Sequence, residues 1–224
     1  MVKADLGRLC AIVDVQVAEH AGWKAIDLAT AYLDGGARFL QLRAKTLPSA
    51  EFLDLAQRIR ALTDAAAGVL VVNDRADIAR LAAAGLHVGQ DDLEPSAARA
   101  IVGEQVVLGL STHTPKQIDR AVLAPVTYVA IGPVFGTSTK ATGYGPVGLE
   151  RVRYASDRAA PHGRGIVAIG GITLERAEAV VRAGADMVAV ITDLLSGGDP
   201  EARVRAYQDR LGDRPGYNPR GFTA

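Results

Sequence analysis

The chain has one cysteine, Cys10, among its 224 residues, which excludes an intramolecular disulfide and a cysteine-built metal site. Cys10 falls inside the apolar run LCAIVDV and reads as a small buried hydrophobe. Neither sign of charge is in excess, because 25 Lys plus Arg balance 25 Asp plus Glu. No global field then draws the protein to nucleic acid or to an anionic membrane surface. Apolar runs long enough to cross a bilayer, roughly 18 residues or more, do not occur. The N-terminal MVKADLGRLC lacks the apolar centre of a secretory signal. A soluble cytoplasmic protein is expected, with no nucleic acid and no membrane among its partners.

Short β-branched or apolar runs recur instead: LCAIVDV (9–15), RFLQLR (38–43), GVLVVND (68–74), GLHVGQ (85–90), QVVLGLS (105–111), VTYVAIG (126–132), GIVAIGG (165–171) and DMVAVIT (186–192). Most are continuously apolar rather than alternating, as strands buried on both faces are. Helical spacing fills the gaps. SAEFLDLAQRIRALTDAAA sets Phe52, Leu55, Ile59 and Leu62 along one face, with Glu51, Asp54, Arg58 and Arg60 largely off it. In TLERAEAVVRAGA, Thr173 stands as an N-cap and Gly184 as a stop. LPSAEF and LEPSAA put proline near a helix start, where its missing N–H costs little. The phrases DGGARF, AAGLHV and RAGADM mark tight turns from a helix into a strand.

Strand and helix thus alternate eight times, which predicts an α/β fold: a (β/α)8 TIM barrel forming a single domain over residues 1–212. Residues 213–224 read as a flexible tail. An open doubly wound sheet would carry a G-x-G-x-x-G turn after its first strand, and VDVQVAEHAG has none.

Barrel active sites lie in the loops that follow the strands. After strand two, Gln41, Arg43 and Lys45 alternate and project to one side. Inward glutamine and arginine need a polar partner, either a ligand or a carboxylate of the barrel. Strand three ends in Asn73 and Asp74, and strand four in Asp91 and Asp92. Asp74 and Asp92 then sit on neighbouring strand ends, where two carboxylates repel unless a cation lies between them. Oxygen-only ligands suit magnesium, although either aspartate alone also reads as a helix cap. Strand five offers Ser111 and His113. Strand six runs into GPVFGTSTKATGYGP, residues 132–146, with Thr137, Ser138, Thr139 and a single cation, Lys140, and no acid. After strands seven and eight, Gly170, Gly171, Ile191 and Thr192 lead into helix starts whose backbone N–H groups suit an anion. A double glycine is also the default for a tight turn. Two anion sites follow. One has a metal with Arg43, Lys45 and Lys140 around it and suits a diphosphate; the other has backbone donors and hydroxyls and suits a phosphate monoester. Together they suggest transfer of a carbon group with diphosphate leaving.

The segments QLRAK, VND, HVGQDD, GLSTHT, GPVFGTSTK, AIGGI and VAVIT, spread from about Leu9 to Leu195, resemble the motifs of the thiamine phosphate synthase family in order and spacing. That resemblance implies a transferase with two small phosphorylated substrates and Mg2+ as cofactor. It would condense 4-amino-2-methyl-5-(diphosphooxymethyl)pyrimidine with 4-methyl-5-(2-phosphoethyl)thiazole to give thiamine phosphate and diphosphate. By similarity, the QLRAK segment (Gln41, Leu42, Arg43, Ala44 and Lys45), Asn73, Ser111 and Lys140 hold the pyrimidine diphosphate. Thr137, Ser138, Thr139, Gly171, Ile191 and Thr192 hold the thiazole phosphate, and Asp74 and Asp92 the metal. Arg43, Lys45, Ser111 and Lys140 are the implied catalytic residues.

The thiazole nitrogen attacks with a free lone pair, so no general base is required of the site, and no Ser-His-Asp or Cys-His set is expected. His113 orients a substrate or merely packs; both readings stand. Two positions depart from the family pattern: Thr192, where serine is usual, and VDVQV, which leaves the roles of Asp14 and Gln16 open. A thiazole tautomerase-like isomerase would need the phosphate half of the site but no diphosphate clamp; a non-catalytic phosphate-binding barrel acting as a sensor would need a signalling partner or DNA-binding module; a phosphosugar isomerase would need a placed carboxylate base without the metal pair. Whether the chain forms a homo-oligomer is left open. If the loop after strand six folds down between two anions, both substrates together will protect residues 136–146 from protease; unchanged cleavage would count against that role.

Overall fold

The computed structural model describes residues 6–136 and 143–212. Eight parallel strands close into a barrel in chain order. They are β1 (Leu9–Asp14), β2 (Phe39–Arg43), β3 (Val69–Asn73), β4 (Gly85–Val88), β5 (Leu108–Thr112), β6 (Tyr128–Ile131), β7 (Gly165–Ile169) and β8 (Met187–Val190). Seven of the eight apolar runs contain a strand whole, and β5 overruns its run by one residue, Thr112. The crossover helices are α2 (Ala25–Asp34), α3 (Ser49–Ala65), α4 (Ala76–Leu81), α5 (Pro95–Val102), α6 (Pro115–Ala121), α7 (Gly148–Ala159) and α8 (Leu174–Arg182), and α9 (Pro200–Leu211) follows β8. A short helix not anticipated from the sequence, α1 (Val15–His20), precedes α2 because the Asp14 side chain accepts from Val17 N and caps it. The expected barrel is therefore the observed fold. Residues 213–224 lie outside the described residues.

Helix faces follow the apolar spacing with one shift. In α3 the fully buried line is Phe52, Ala56, Ile59 and Thr63, while Leu55 and Leu62 are half-buried. Small side chains at the centre of the contact let the helix lie close to the sheet, and the leucines flank it. Pro95 opens α5 at its first turn, and Pro48 stands one residue outside α3 as its cap. Thr173 is the N-cap of α8 by position, yet its hydroxyl makes no capping bond. The amide of Leu174 instead donates to Asp193 from the next loop.

Two cores result. The larger lies between the barrel and its helices. The smaller fills the barrel floor with Leu6, Cys10, Ile12, Phe39, Val71, Tyr128, Val167 and Met187. Strand alternation sends every second residue inward, and the register aligns these layers: Cys10 opposite Phe39, Ile12 opposite Gln41, Asn73 opposite His87, Ser111 opposite Ala130. Inward residues change from apolar to polar toward the C-terminal ends of the strands, where Gln41, Asn73, His87 and the Asp14–Arg43 pair stand. The ring of Tyr128 lies over Gly109, where an added Cβ would come 2.1 Å from its Cζ.

The helix-to-strand turns need a left-handed residue, and two phrases supply glycine for it: Gly36 at φ 102° and Gly184 at φ 109°. In AAGLHV that position is Ala83, at φ 52°, and Gly85 is already the first residue of β4. Left-handed backbone costs alanine more than glycine loses in chain entropy. Ala83→Gly should therefore raise the unfolding free energy by about 0.5–1 kcal/mol in urea denaturation.

Candidate functional site

A cavity of about 950 Å³, its solvent-filled mouth included, opens among the C-terminal strand ends. Gln41, Arg43, Asn73, Ser111, Gly171, Ile191 and Thr192 line it, as anticipated from their positions after the strands. So do His87, His113 and Tyr128. Leu42 and Ala44 point the other way, packing into the outer core between barrel and helices. Thr137, Ser138, Thr139 and Lys140 lie outside the described residues.

Beneath the mouth runs a buried polar chain across four strands. The Tyr128 hydroxyl lies 2.9 Å from His87 Nδ1, and His87 Nε2 lies 2.8 Å from Ser111 Oγ. Gln41 hydrogen-bonds the same phenol, whose ionisation burial pushes far above its ordinary range. The phenol stays protonated, and His87 links it to Ser111 through its two ring nitrogens, one of which donates and the other accepts while the ring is neutral. His87 and Tyr128 escaped the sequence reading. Their signal was a polar residue at an inward position of an otherwise apolar strand, with Gly109 opposite Tyr128 to admit its ring.

The two cations of the QLRAK segment are already paired. Arg43 makes an ion pair with Asp14, which is 2% exposed, so Asp14 serves both as the α1 cap and as an acceptor for Arg43. Arg43 Nε is buried with no hydrogen-bond partner among the described residues. Lys45 pairs with Asp74 at the exposed rim. Asp74 adopts φ 66°, a conformation aspartate tolerates better than most residues, and its amide donates to His87 O at 2.7 Å. Gly89 N donates to Asp92 Oδ2 at 2.7 Å. Asp92 reaches the surface, yet partial desolvation first, and then the adjoining Asp74 carboxyl, raise its pKa above the ordinary carboxylate value.

Asp74 and Asp92 thus meet, with Lys45 supplying positive charge beside them. Among the described residues no group of three or more His, Cys, Asp or Glu gathers in one place. Two carboxylates short of a full cage fit magnesium, which keeps water and phosphate oxygens among its ligands, better than a metal that needs an all-protein site.

The opposite wall is built from backbone. Val134 N donates to Ile169 O at 2.8 Å and Phe135 N to Gly170 O at 3.0 Å, strapping the β6–α7 loop to the β7–α8 loop. Val147 N and Gly148 N return to Pro133 O and Val134 O. The strap explains the double glycine, because a Cβ on Gly170 would lie 2.5 Å from Pro133 Cα and one on Gly171 2.4 Å from Gly136 O. His113 holds the same loop: its Nδ1 lies 2.5 Å from Gly132 O and its ring stacks on Tyr144 at 4.2 Å.

A closed (β/α)8 barrel whose cavity at the C-terminal strand ends is lined by one arginine, by amide and hydroxyl side chains and by a backbone wall has the architecture of a small-molecule site. A family profile described as thiamine monophosphate synthase matches residues 9–194, and the chain belongs to that family. A thiamine-phosphate synthase of a Roseiflexus species is 43% identical over 188 residues, 83% of this chain and 78% of that one. Its counterpart in Koribacter versatilis is 42% identical over 206 residues, 90% of this chain and 94% of that one. Thiamine phosphate pyrophosphorylase from Pyrococcus furiosus superposes with a TM-score of 0.83 at 25% identity, covering 94% of this chain and 98% of that one.

The buried chain generates a stability prediction. Tyr128→Phe leaves His87 Nδ1 and Gln41 without their partner and should lower the unfolding free energy by about 1–3 kcal/mol. Urea denaturation checks this.

Proposed function

We propose that this protein condenses 4-amino-2-methyl-5-(diphosphooxymethyl)pyrimidine with 4-methyl-5-(2-phosphoethyl)thiazole, releasing diphosphate and leaving thiamine phosphate. The observation that carries this reading is a cavity with Arg43, Gln41, Asn73 and Ser111 on one side and the strapped backbone loops after β6 and β7 on the other, with Lys45, Asp74 and Asp92 outside its lining, just beyond the ends of β2–β4. Membership of the family and the names of the relatives support it.

In this reading Gln41, Asn73 and Ser111 hold the pyrimidine, with the Ser111 hydroxyl oriented by His87 and Tyr128. Arg43, Lys45 and Lys140 receive the diphosphate. An anion can engage the cavity-facing side of Arg43 while Asp14 keeps the guanidinium in place. Lys45 lies at the rim, where its ion pair is weak enough to exchange. Asp74 and Asp92 would hold Mg2+, which when bound neutralises charge on the departing diphosphate. The C–O bond to that group breaks, and the pyrimidinylmethyl cation is stabilised by electron donation from the ring amino group. The thiazole nitrogen then donates its lone pair to the methylene carbon. No proton leaves the nitrogen, so the lack of a placed base is in keeping with the chemistry. Gly171, Ile191 and Thr192 with Thr137, Ser138 and Thr139 hold the thiazole phosphate, and Thr192 brings a hydroxyl as serine would.

The test is an assay with both substrates, with and without magnesium. Thiamine phosphate should form with the metal and fail to form when it is chelated. Arg43→Ala, Asp74→Ala and Lys140→Ala should each lower kcat/KM by about 10²-fold or more. Full activity in these variants would overturn the roles assigned, and isomerisation of a thiazole without condensation would overturn the function.

A further inference from the structure

The last residues paired between β7 and β8 are Ile169 and Ala189. Gly171 and Thr192 stand two and three residues beyond that pair, past the reach of the strand ladder. Something else must fix the gap between these two ends of the phosphate site.

That something converges on one carboxylate oxygen. Asp193 Oδ2 accepts from Leu174 N, the first residue of α8, at 3.1 Å. It also accepts from Arg203 Nη2 at 2.7 Å, from Arg203 Nε at 3.2 Å and from the Tyr207 hydroxyl at 2.6 Å. Arg203 Nε further donates to the Asp193 carbonyl at 3.1 Å. Arg203 and Tyr207 lie one turn apart on α9 and share a face. The carboxylate is 14% exposed and the guanidinium 21%, so the pair is sheltered. On the other loop, Arg176 Nη1 donates to Gly171 O at 3.0 Å. Three elements, the β7–α8 loop, the β8 loop and α9, are thus pinned behind the cavity wall, outside the cavity itself. The charge is informative as well. A carboxylate next to Thr192 would repel a phosphate if bare, and Arg203 cancels it.

We propose that Asp193, held by Arg203 and Tyr207, is a positioning residue that sets the spacing between the Gly171 and Thr192 ends of the phosphate site. This rests on the reading above that those residues receive the thiazole phosphate. The pin governs affinity for the phosphate group and leaves bond breaking at the pyrimidine untouched.

The experiment compares wild type with Asp193→Ala, Asp193→Asn and Arg203→Met by steady-state kinetics and by calorimetry with inorganic phosphate. In Asp193→Ala, KM for the thiazole phosphate should rise roughly ten-fold or more while kcat stays within about three-fold, since a displaced anchor misplaces its ligand. KM for the pyrimidine diphosphate and for the unphosphorylated thiazole alcohol should not move, and phosphate binding should weaken by the same factor as the thiazole phosphate. Asp193→Asn keeps an acceptor for Leu174 N and should restore most of the loss. Arg203→Met leaves a bare carboxylate beside the site and should reproduce the rise, even if Asp193→Ala fails to fold. The inference is overturned if both substrates' KM values rise together, or if thermal stability falls with phosphate binding unchanged. If wild type makes no thiamine phosphate, the functional reading fails, and the calorimetric comparison still decides the pin: equal phosphate affinity in all variants, or none in wild type, overturns it.

Discussion

Closure of eight parallel strands decides almost everything else about this molecule. A closed barrel leaves no free edge, so each strand is held on both sides and side-chain alternation is fixed around the ring. Every inward position must then be filled either by packing or by a polar group with a partner. At the floor this is met by packing, with Phe39 set edge-on against Tyr128 at 6.0 Å. Toward the mouth it is met by the chain from Gln41 through Tyr128 and His87 to Ser111. The cavity exists because polar residues take over where apolar filling stops.

Charge is managed by the same logic. Arg43 and Lys45 each face a carboxylate of the protein, and Asp193 faces Arg203. The pairs differ in exposure. Asp14–Arg43 is sheltered and doubles as a helix cap, whereas Lys45 is 46% exposed. The sheltered pair holds geometry and the rim pair is free to rearrange.

Much of this was legible in the chain. Continuous apolar runs identified the strands, and hydroxyl, amide and charged residues crowding their C-terminal ends located the mouth. The ion pairs themselves were not legible, since Arg43 and Asp14, like Lys45 and Asp74, are 29 residues apart and meet only through the register of neighbouring strands. His87 and Tyr128 look like ordinary strand residues until register puts Gly109 beside the tyrosine ring. Thr173 looked like a cap because local sequence shows a hydroxyl there; the competing carboxylate of Asp193 comes from the next loop. The double glycine, readable as a simple tight turn, owes its composition to a neighbouring loop lying too close for any Cβ.

Cys10 sits on the barrel floor, 1% exposed, and burial holds its thiol well above the ordinary cysteine range. A thiolate is the species that reacts with disulfides, oxidants and alkylating reagents, and this sulfur is neither ionised nor reachable while the strands stay closed. Its labelling rate is consequently a clock for opening of the barrel. Oxidation at this position requires the barrel floor to open first.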